Sequence, residues 1–527
     1  MAERTQVIIV GGGPVGVGLA VELGLRGVSC TLIERRTGPQ QIPKGQNLTA
    51  RTLEHFYFWG IVDELRGARV MPNEYPIGGV TAYKHMMSEY WSAPPGRELV
   101  KSYYFEENDR LPQYLLEGVL RKRAASLPTV TLLYGHEVTK VSQDDDGVSV
   151  TVVGEASPND EAVYEADYVV GCDGGRSLVR DEMGIERRGS DFDQKMLLAV
   201  FRSKALHEAF KRFPPRTTYR AMDPELNGYW MFFGRVDVGE GWFFHAPVPL
   251  DTTVDNYDFQ ALLNRAAGFE FEAEFEHVGF WDMKVAVADR YQVGRVFIAG
   301  DAAHSHPPYG GYGLNNGLED VTNLGWKLAA VLQGWGGGGL LESYGEERRP
   351  IFWETGEDFI ASGINADRDF LQTFDPDTDK AEFDREWEAL FQKNRVMTYE
   401  PNYEGSSIVD GPEGAVCSAH GTHTFVARAG HHLPPRSLSG GKNLAAELGP
   451  GFTLLAFGAP DGAARAFVES ATALGVPLTL IEDTFADERE GYASRLILVR
   501  PDQYIVWIGD TSPAEIEELL KQVTGHA

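Results

Sequence analysis

The stretch QVIIVGGGPVGVGLAVELGLRGVSCTLIE, residues 6–34, decides the fold of this chain. Its pattern predicts a strand at residues 6–10, a glycine turn, a helix at 17–26 and a second strand at 28–33. A strand–helix–strand unit with a glycine-rich first turn is typical of nucleotide-binding α/β domains.

The glycine turn holds Gly11, Gly13 and Gly16 in the spacing G-x-G-x-x-G. This spacing lets the backbone approach a pyrophosphate group and places the helix N-terminus against it. The pattern alone is weak, because glycine turns also occur for packing. Its context is stronger, since Glu34 ends the second strand, where a carboxylate can accept hydrogen bonds from ribose hydroxyls.

The composition describes a large globular chain. Its 527 residues, 43% of them hydrophobic, can bury extensive cores, and the length predicts two or three domains. The formal net charge of −29 argues against a protein that holds a nucleic-acid backbone or an anionic membrane, because both require clustered Lys and Arg. We therefore expect neither kind of partner.

The three cysteines, Cys30, Cys172 and Cys417, lie far apart and form no C-x-x-C pair. They predict neither a disulfide framework nor a thiolate metal site, which favours a reducing compartment. The first predicted strand begins at Gln6 and leaves no room for a signal peptide, and no apolar run approaches the roughly 20 residues that span a bilayer. These features predict a cytoplasmic protein without a membrane segment.

Beyond the first unit the pattern changes twice. Aromatic-rich runs between residues 197 and 287 predict an antiparallel sheet, and a helix is predicted from Leu314 to the glycine run at 336–339. Residues 452–524 predict the order βαβββα of a thioredoxin-like domain, here without paired cysteines. The predicted fold class is α/β, with a Rossmann-like domain at 1–190 and 285–370, an inserted β-sheet substrate domain at 80–110 and 191–284, a linker at 371–415 and a thioredoxin-like domain at 416–527.

Two further motifs follow the glycine turn. GCDGGRSLVR, residues 171–180, follows a predicted strand. GRVFIAGDAAHSHPPYGGYGLNNGLED, residues 294–320, places Asp301 at a strand end before a Pro- and Gly-rich loop and the long helix. Backbone N–H groups at the start of that helix favour negative charge. In isolation, the first of these motifs is also compatible with an ordinary loop.

The three motifs in this order, with Q-x-x-x-E at Gln113 and Glu117 between the first two, closely resemble the class A flavoprotein monooxygenases of the para-hydroxybenzoate hydroxylase fold. The segment RPDQYIVW, residues 500–507, and the βαβββα tail further resemble the phenol hydroxylase branch and polyketide or indolocarbazole-pathway oxygenases. The resemblance covers essentially the whole chain. It implies an FAD-dependent monooxygenase that uses NADH or NADPH and dioxygen to hydroxylate an aromatic substrate, phenolic or polyketide-like, through a flavin hydroperoxide.

The resemblance also implies which residues bind FAD. Asp301 would hold the ribityl group, residues 313–315 would offer backbone groups to the flavin ring, and Asp173 and Arg180 belong to a motif that supports NAD(P)H use. For Arg51, an exposed helix arginine without a role is the alternative. The implied set is Gly11, Gly13, Pro14, Gly16, Glu34, Arg35, Lys44, Arg51, Gln113, Val138, Asp173, Arg180, Asp301, Gly313, Leu314 and Asn315.

Two positions depart from the family pattern. Lys44 stands where many relatives carry Arg, so a bidentate contact becomes a point charge. Gln46 lies near the position where relatives that deprotonate a phenol often carry Asp or His, and an amide cannot act as a base. Because only one complete glycine fingerprint occurs in the sequence, the nicotinamide is expected to dock transiently.

The substrate pocket is expected between the aromatic sheet and the flavin. Pro308 would face the site where oxygen reacts, and His245 and Tyr219 are the other catalytic candidates, although a satisfied structural histidine is the alternative for His245. Strand alternation places only about half of an aromatic run on one side. The candidate wall residues are Tyr219, Tyr229, Trp230, Phe232, His245 and Trp281.

Three other residues carry the same ambiguity as His245: Tyr104, and His304 and His306 of the third motif. Their spacing does not support a metal site. Two other functions stay open, a Baeyer–Villiger or decarboxylative oxygenation of a polycyclic natural product, and non-catalytic binding of flavin or ligand. Flavin halogenases carry a W-x-W-x-I-P segment that this sequence lacks. The substrate, the choice of nicotinamide and the oligomeric state, including a homodimer, also stay open.

Overall fold

The first sheet is largely parallel, and the glycine turn follows its central strand. Its central strand, Glu3–Val10, pairs in parallel with Cys30–Glu34 on one side and with Ser157–Gly171 on the other. Val7, Ile8 and Ile9 are fully buried, as expected for a strand whose two faces are both covered. The computed structural model describes residues 3–226, 229–392, 395–460, 462–485 and 491–526.

This sheet has eight strands, and the strands predicted in this part of the chain are confirmed, with bounds that shift by a few residues. Its edge hairpin of His136–Gln143 and Val148–Gly154 pairs antiparallel with the long strand Ser157–Gly171. The remaining strands run parallel except for the short one at Gln292–Val293. The eight strands are Glu3–Val10, Cys30–Glu34, Val130–Tyr134, His136–Gln143, Val148–Gly154, Ser157–Gly171, Gln292–Val293 and Val296–Ile298.

Two helices pack together against this sheet and position the site. The first begins at Pro14, three residues earlier than predicted, because proline lacks only an N–H group that is unpaired in a first helical turn. The predicted long helix is confirmed at Gly313–Leu332. The helices are Pro14–Leu25, Ala50–Phe58, Val62–Gly67, Gln113–Ala125, Leu178–Glu182, Lys204–Ala209, Phe259–Ala267, Gly313–Leu332, Gly339–Glu354, Ser362–Thr373, Lys380–Leu390, Ala463–Leu474 and Ile516–Val523.

The aromatic-rich segment forms a seven-stranded sheet. The antiparallel pairing predicted between residues 197 and 287 is confirmed, and Gly79–Tyr83 from an earlier part of the chain adds to this sheet in parallel with Thr218–Met222. Helix Phe259–Ala267 contributes to the core on one face, and the other face borders a groove. The strands are Gly79–Tyr83, Trp91–Ser92, Asp191–Arg202, Thr218–Met222, Trp230–Arg235, Gly241–Val248 and Glu274–Lys284.

The linker predicted at residues 371–415 is wrong. Helix Ser362–Thr373 extends into it, helix Lys380–Leu390 follows, and strand Tyr399–Asn402 pairs with Ser418–His420. Phe383 is fully buried in an aromatic cluster. The segment lacks Pro and Gly over most of its length, but its high content of charged residues concealed a short amphipathic helix.

The C-terminal part has the predicted order βαβββα. Strand Phe452–Phe457 lies between Leu478–Asp483, to which it is parallel, and Leu496–Val499, to which it is antiparallel. Strand Ile505–Gly509 completes the sheet, and helices Ala463–Leu474 and Ile516–Val523 follow the first and last strands. This topology is consistent with the thioredoxin-like expectation. The three cysteines are free.

A buried charge cluster joins this C-terminal part to the helices beside the first sheet. The Arg500 guanidinium forms two bonds to the Glu347 carboxylate, at 2.6 and 2.8 Å, and Lys327 Nζ lies 2.7 Å from the same carboxylate. Arg348 Nε lies 2.8 Å from the Asp320 carboxylate. We call Asp320, Lys327, Glu347, Arg348 and Arg500 the buried charge cluster.

Candidate active site

The three glycines of the turn have different surroundings. A Cβ atom at Gly16 would lie 2.0 Å from the Gly11 carbonyl oxygen, and one at Gly11 would lie 2.4 Å from the Cys172 carbonyl oxygen, so both positions are fixed by packing. A Cβ atom at Gly13 would meet no described protein atom within 4 Å. Gly13 and Pro14 instead line a groove, which leaves the backbone there open to a ligand.

Glu34 lies beside this turn. Its Oε2 accepts a hydrogen bond of 2.7 Å from the Gly12 backbone N–H, and its Oε1 accepts one from the Arg36 N–H. The neighbouring Arg35 is exposed, 3.9 Å from Glu137. Val138 is buried on strand His136–Gln143, which also carries Glu137. Glu34 therefore lies directly beside the glycine turn, and its contact with the adenosine half of FAD, like the roles of Arg35 and Val138, stays a prediction.

Lys44, Gln113 and Asp301 line the middle of the groove. Gln113 Oε1 accepts a hydrogen bond from the Gly45 N–H, and Gln113 Nε2 donates to Glu117, which fixes the loop that carries Lys44. The side chains of Lys44 and Asp301 are exposed to the groove, but its walls partly desolvate them. This desolvation, together with the nearby Arg36, lowers the pKa of Lys44, and desolvation raises the pKa of Asp301. The structure thus brings together three residues that are far apart in sequence.

The third motif forms the next part of the groove wall. Pro308 and residues 310–314 line it, and Gly310 and Gly311 both adopt φ +69°, a left-handed conformation that glycine accepts without strain. Asn315 braces the loop through its side chain, which accepts from the Thr49 N–H and donates to the Gly311 carbonyl. The first N–H groups of helix Gly313–Leu332 have no acceptor one turn earlier, so they favour a negatively charged group at this point.

The far end of the groove is the aromatic sheet. Trp230, Phe232, His245 and Trp281 line it, as predicted. Trp281 Nε1 lies 3.1 Å from His245 Nδ1, and the Leu197 carbonyl oxygen lies 3.2 Å from the same nitrogen. Burial lowers the pKa of His245 to about 4, so this histidine is neutral near pH 7 and is a weak base.

Tyr219 and Tyr229 do not belong to the groove, and their assignment to its wall is wrong. Strand alternation turns Tyr219 to the opposite face, where its hydroxyl donates to the Arg216 carbonyl and accepts from Arg235. Tyr229 precedes its strand and bonds instead to the Phe192 carbonyl and Arg368. Tyr219 is therefore a core residue and not a catalytic one.

Arg51 is buried rather than exposed, but its partners lie away from the groove. It contacts Glu319 and Glu54 and donates to the Asp502 carbonyl of the C-terminal part. The prediction that it binds the cofactor is therefore wrong. Tyr104 lines a separate small cavity.

The two histidines of the third motif separate. His304 is buried, with Nε2 2.6 Å from Asp320, and its ring stacks on Phe352. These contacts give His304 a structural role. His306 lines the groove, and burial lowers its pKa to about 4.

Asp173 and Arg180 brace the loops of the second and third motifs. Asp173 Oδ2 accepts from the Val179 N–H. The Arg180 guanidinium donates to the carbonyls of Gly175 and Ala302, and so joins one motif to the other. Neither side chain lies among the described groove residues, and their contact with FAD stays a prediction.

Three groove arginines, Arg97, Arg110 and Arg220, were not predicted from the sequence. Arg220 pairs with Asp367 at 2.5 Å and alternates with Tyr219 on the same strand, so strand period could have identified it. Arg110 comes from the short strand Asp109–Arg110, three residues before Gln113, and no pattern marked it. Three groove residues each keep a buried polar atom without a hydrogen-bond partner among the described residues: Gln46 Oε1, Arg110 Nε and His306 Nε2.

The groove has a volume of about 1100 Å³. This exceeds the roughly 300–1,000 Å³ of a pocket for one small molecule, so a cofactor and a substrate can lie in it together. The open backbone at Gly13 and the unpartnered Gln46 Oε1 and His306 Nε2 fit an extended polar ligand such as FAD. Among the described residues, no cluster of His, Cys, Asp or Glu is placed to hold a metal, and no helix combines the length and apolar character needed to cross a bilayer.

A dinucleotide turn that opens into a groove with an aromatic end is typical of an oxidoreductase with a dinucleotide cofactor, and the family match shows that this cofactor is a flavin. The chain matches the FAD binding domain family over residues 4–358 and the aromatic-ring hydroxylase C-terminal family over residues 426–527. The chain therefore belongs to the FAD binding domain family of class A flavoprotein aromatic hydroxylases.

Known proteins of this kind resemble the chain closely. Rifampicin monooxygenase of Streptomyces venezuelae is 33% identical over 362 residues, which cover 66% of this chain and 69% of that protein. The rebeccamycin biosynthetic enzyme RebC with reduced flavin matches all of both chains with a TM-score of 0.86 and 27% identity. Aklavinone-11 hydroxylase, in a complex with FAD and aklavinone, matches 99% of both chains with a TM-score of 0.82 and 26% identity.

Proposed function

We propose that this protein uses NADH or NADPH and dioxygen to hydroxylate a polycyclic aromatic substrate in the groove. The monooxygenase class follows from the family; the nicotinamide, the substrate and the residue roles are the proposal. The observation that carries it is one continuous groove of about 1100 Å³ that runs from Gly13 to the aromatic sheet. The sheet end of this groove is lined by Trp230, Phe232 and Trp281, whose aromatic surfaces suit an extended planar ring system.

The residues that would hold FAD follow the groove. Gly13 would bring its backbone to the pyrophosphate, Glu34 would accept from the ribose hydroxyls, and Asp301 and Gln113 would lie along the ribityl chain. The N–H groups of residues 313–315 would stabilise negative charge on the ring of the reduced cofactor. Bound FAD supplies the capacity to accept a hydride and to activate dioxygen.

At the sheet end, the chain orients the substrate and excludes water. Trp230, Phe232 and Trp281 offer aromatic surface against which a planar ring system can pack, while Pro308 faces the same space. Burial holds His245 neutral, so it would orient a substrate oxygen through a hydrogen bond rather than remove a proton. Aklavinone, the polycyclic compound bound by one structural neighbour, has the kind of ring system proposed here.

A cytoplasmic location belongs to the same proposal. The three cysteines are free, which suits a reducing compartment.

The experiment is NAD(P)H oxidation by the purified, flavin-loaded protein under air, with a panel of phenols and polycyclic aromatics and with product mass and NMR recorded together. We expect polycyclic compounds to stimulate oxidation more than phenols and to yield a hydroxylated product heavier by one oxygen. A ring-expanded lactone of the same mass would indicate Baeyer–Villiger chemistry instead. A bound flavin that no nicotinamide reduces with any ligand would contradict the proposal and favour a binding protein.

A further inference from the structure

Arg110 is a buried cation for which the described residues supply no counter-ion. It is 2% exposed and lines the groove. One terminal nitrogen donates to the Asn47 side chain and the other to the Arg235 carbonyl, both neutral partners. Among the described residues, no carboxylate oxygen lies within 4.0 Å of its guanidinium. A buried charge in this state is costly unless a ligand neutralises it.

The surroundings of Arg110 add positive charge instead of removing it. Arg235 is also buried, and its partners are the Tyr219 hydroxyl and the His207 ring, neither of which is an anion. Burial, and then Arg235, lower the pKa of Arg110 to about 9, so the guanidinium still carries its charge near pH 7. Arg110 and Arg235 together make a buried region of positive charge at the groove wall.

The groove carries an excess of positive charge, whereas the chain as a whole is acidic. The chain carries a formal net charge of −29. The charged residues along the groove are Lys44, Arg97, Arg110, Arg220 and Lys284 against Asp282 and Asp301. Arg220 is neutralised by Asp367 outside this set, and Lys44 lies near Asp301, which the proposed function assigns to the ribityl chain of FAD. Arg110 is therefore a buried groove cation that is free to pair with an anionic group at the substrate end.

The position of Arg110 connects it to the substrate rather than to the cofactor phosphates. Its guanidinium carbon lies 5.9 Å from the centre of the Phe243 ring, and Phe243 faces the groove on the strand that also carries His245. Two of its five N–H groups have the partners given above, and its Nε is buried with none among the described residues. Such donors can form the charge-assisted bonds that a planar carboxylate accepts.

We propose that Arg110 is a specificity-determining residue that binds an anionic oxygen group, a ring carboxylate, on the aromatic substrate. This inference rests on the proposed function for the groove and narrows its substrate class to anionic polycyclic aromatics.

The test is equilibrium binding to the flavin-loaded enzyme, followed by the change in flavin absorbance. The two probes are anthraquinone-2-carboxylate and anthraquinone-2-carboxamide, which have the same shape and differ in charge. The wild type is expected to bind the carboxylate at least about tenfold more tightly, as a hydrogen bond to a charged group implies. Arg110→Gln should remove that preference, and Arg110→Lys should retain part of it, because Lys keeps the charge without the planar fork.

Lys284→Gln is the matched control, since Lys284 is a groove cation that is only half-buried; the preference should persist there. The wild-type comparison of the two probes needs no variant, so it holds even if Arg110→Gln fails to fold. Equal affinities, no binding of either probe, or a preference that survives Arg110→Gln would overturn the inference. Loss of FAD from both Arg110 variants would also overturn it, by assigning Arg110 to the cofactor. Hydroxylation of neutral polycyclic aromatics in the activity test would leave the proposed function standing in any of these cases.

Discussion

The buried charge cluster and the groove treat buried charge in opposite ways. In the cluster, Arg348 and Arg500 are fully buried and each contacts a carboxylate at 2.8 Å or less. In the groove, Arg110 is as buried as Arg500, but its side chain has only neutral partners in the described part of the chain. Satisfied buried charges hold parts of a protein together, whereas an unsatisfied one indicates a missing ligand. The contrast therefore separates the structural from the functional use of the same residue type.

The largest expected effect lies in the cluster. Glu347→Gln would leave Arg500 and Lys327 buried with much weaker compensation, and should lower the free energy of unfolding by about 3–5 kcal/mol. Urea denaturation measures the change. The neighbouring Glu346→Gln is the control, because Glu346 is exposed and its loss should stay within about 0.5 kcal/mol. Equal effects of the two variants would show that the cluster contributes little.

His245 gives the next effect, through pH. Its folded pKa of about 4 lies below the unfolded value of about 6.5, so the unfolded chain binds more protons between these values. Stability should therefore fall as pH drops through that window. Urea denaturation of wild type and His245→Gln at pH 7.5 and pH 5 should show a fall that is smaller in the variant by about 2 kcal/mol. The same fall in both proteins would refute the neutral, buried histidine.

Gly13 sharpens the difference between a ligand surface and packing. Gly13→Val should fold, since φ is −72° and the space beside it is free, but the side chain would occupy the proposed pyrophosphate site and weaken FAD binding about tenfold or more, about 1.4 kcal/mol. Titration of the apoprotein with FAD measures this. Gly16→Ala should instead lower the melting temperature of the apoprotein. A Gly13 variant with normal FAD affinity would move the cofactor away from this turn.

Tyr219 gives the smallest effect. Tyr219→Phe removes the hydroxyl that bonds to Arg235 and Arg216, and should cost about 1 kcal/mol of stability while leaving substrate affinity unchanged. Phe232→Ala on the groove face should do the reverse, and weaken substrate binding. A substrate-binding defect in Tyr219→Phe would place this residue in the groove after all.

These contrasts also explain what the sequence could reveal. The glycine turn, the parallel sheet and the βαβββα tail depend on local spacing, so they were predictable. The face of each aromatic residue depends on strand register, which placed Phe232 in the groove but Tyr219 and Tyr229 outside it. Arg51 was misassigned because its partners Glu319 and Asp502 are distant in sequence. Arg110 was missed because the lack of a counter-ion is visible only in three dimensions.

The most direct measurement of the central claim is the isotopic origin of the oxygen in the product. The flavin-loaded enzyme would turn over a polycyclic aromatic with NAD(P)H under ¹⁸O-labelled dioxygen in unlabelled water, and the product would be weighed by mass spectrometry. The account predicts one labelled oxygen atom in each product molecule. An unlabelled product, or nicotinamide oxidation that yields only hydrogen peroxide with every aromatic tested, would contradict it.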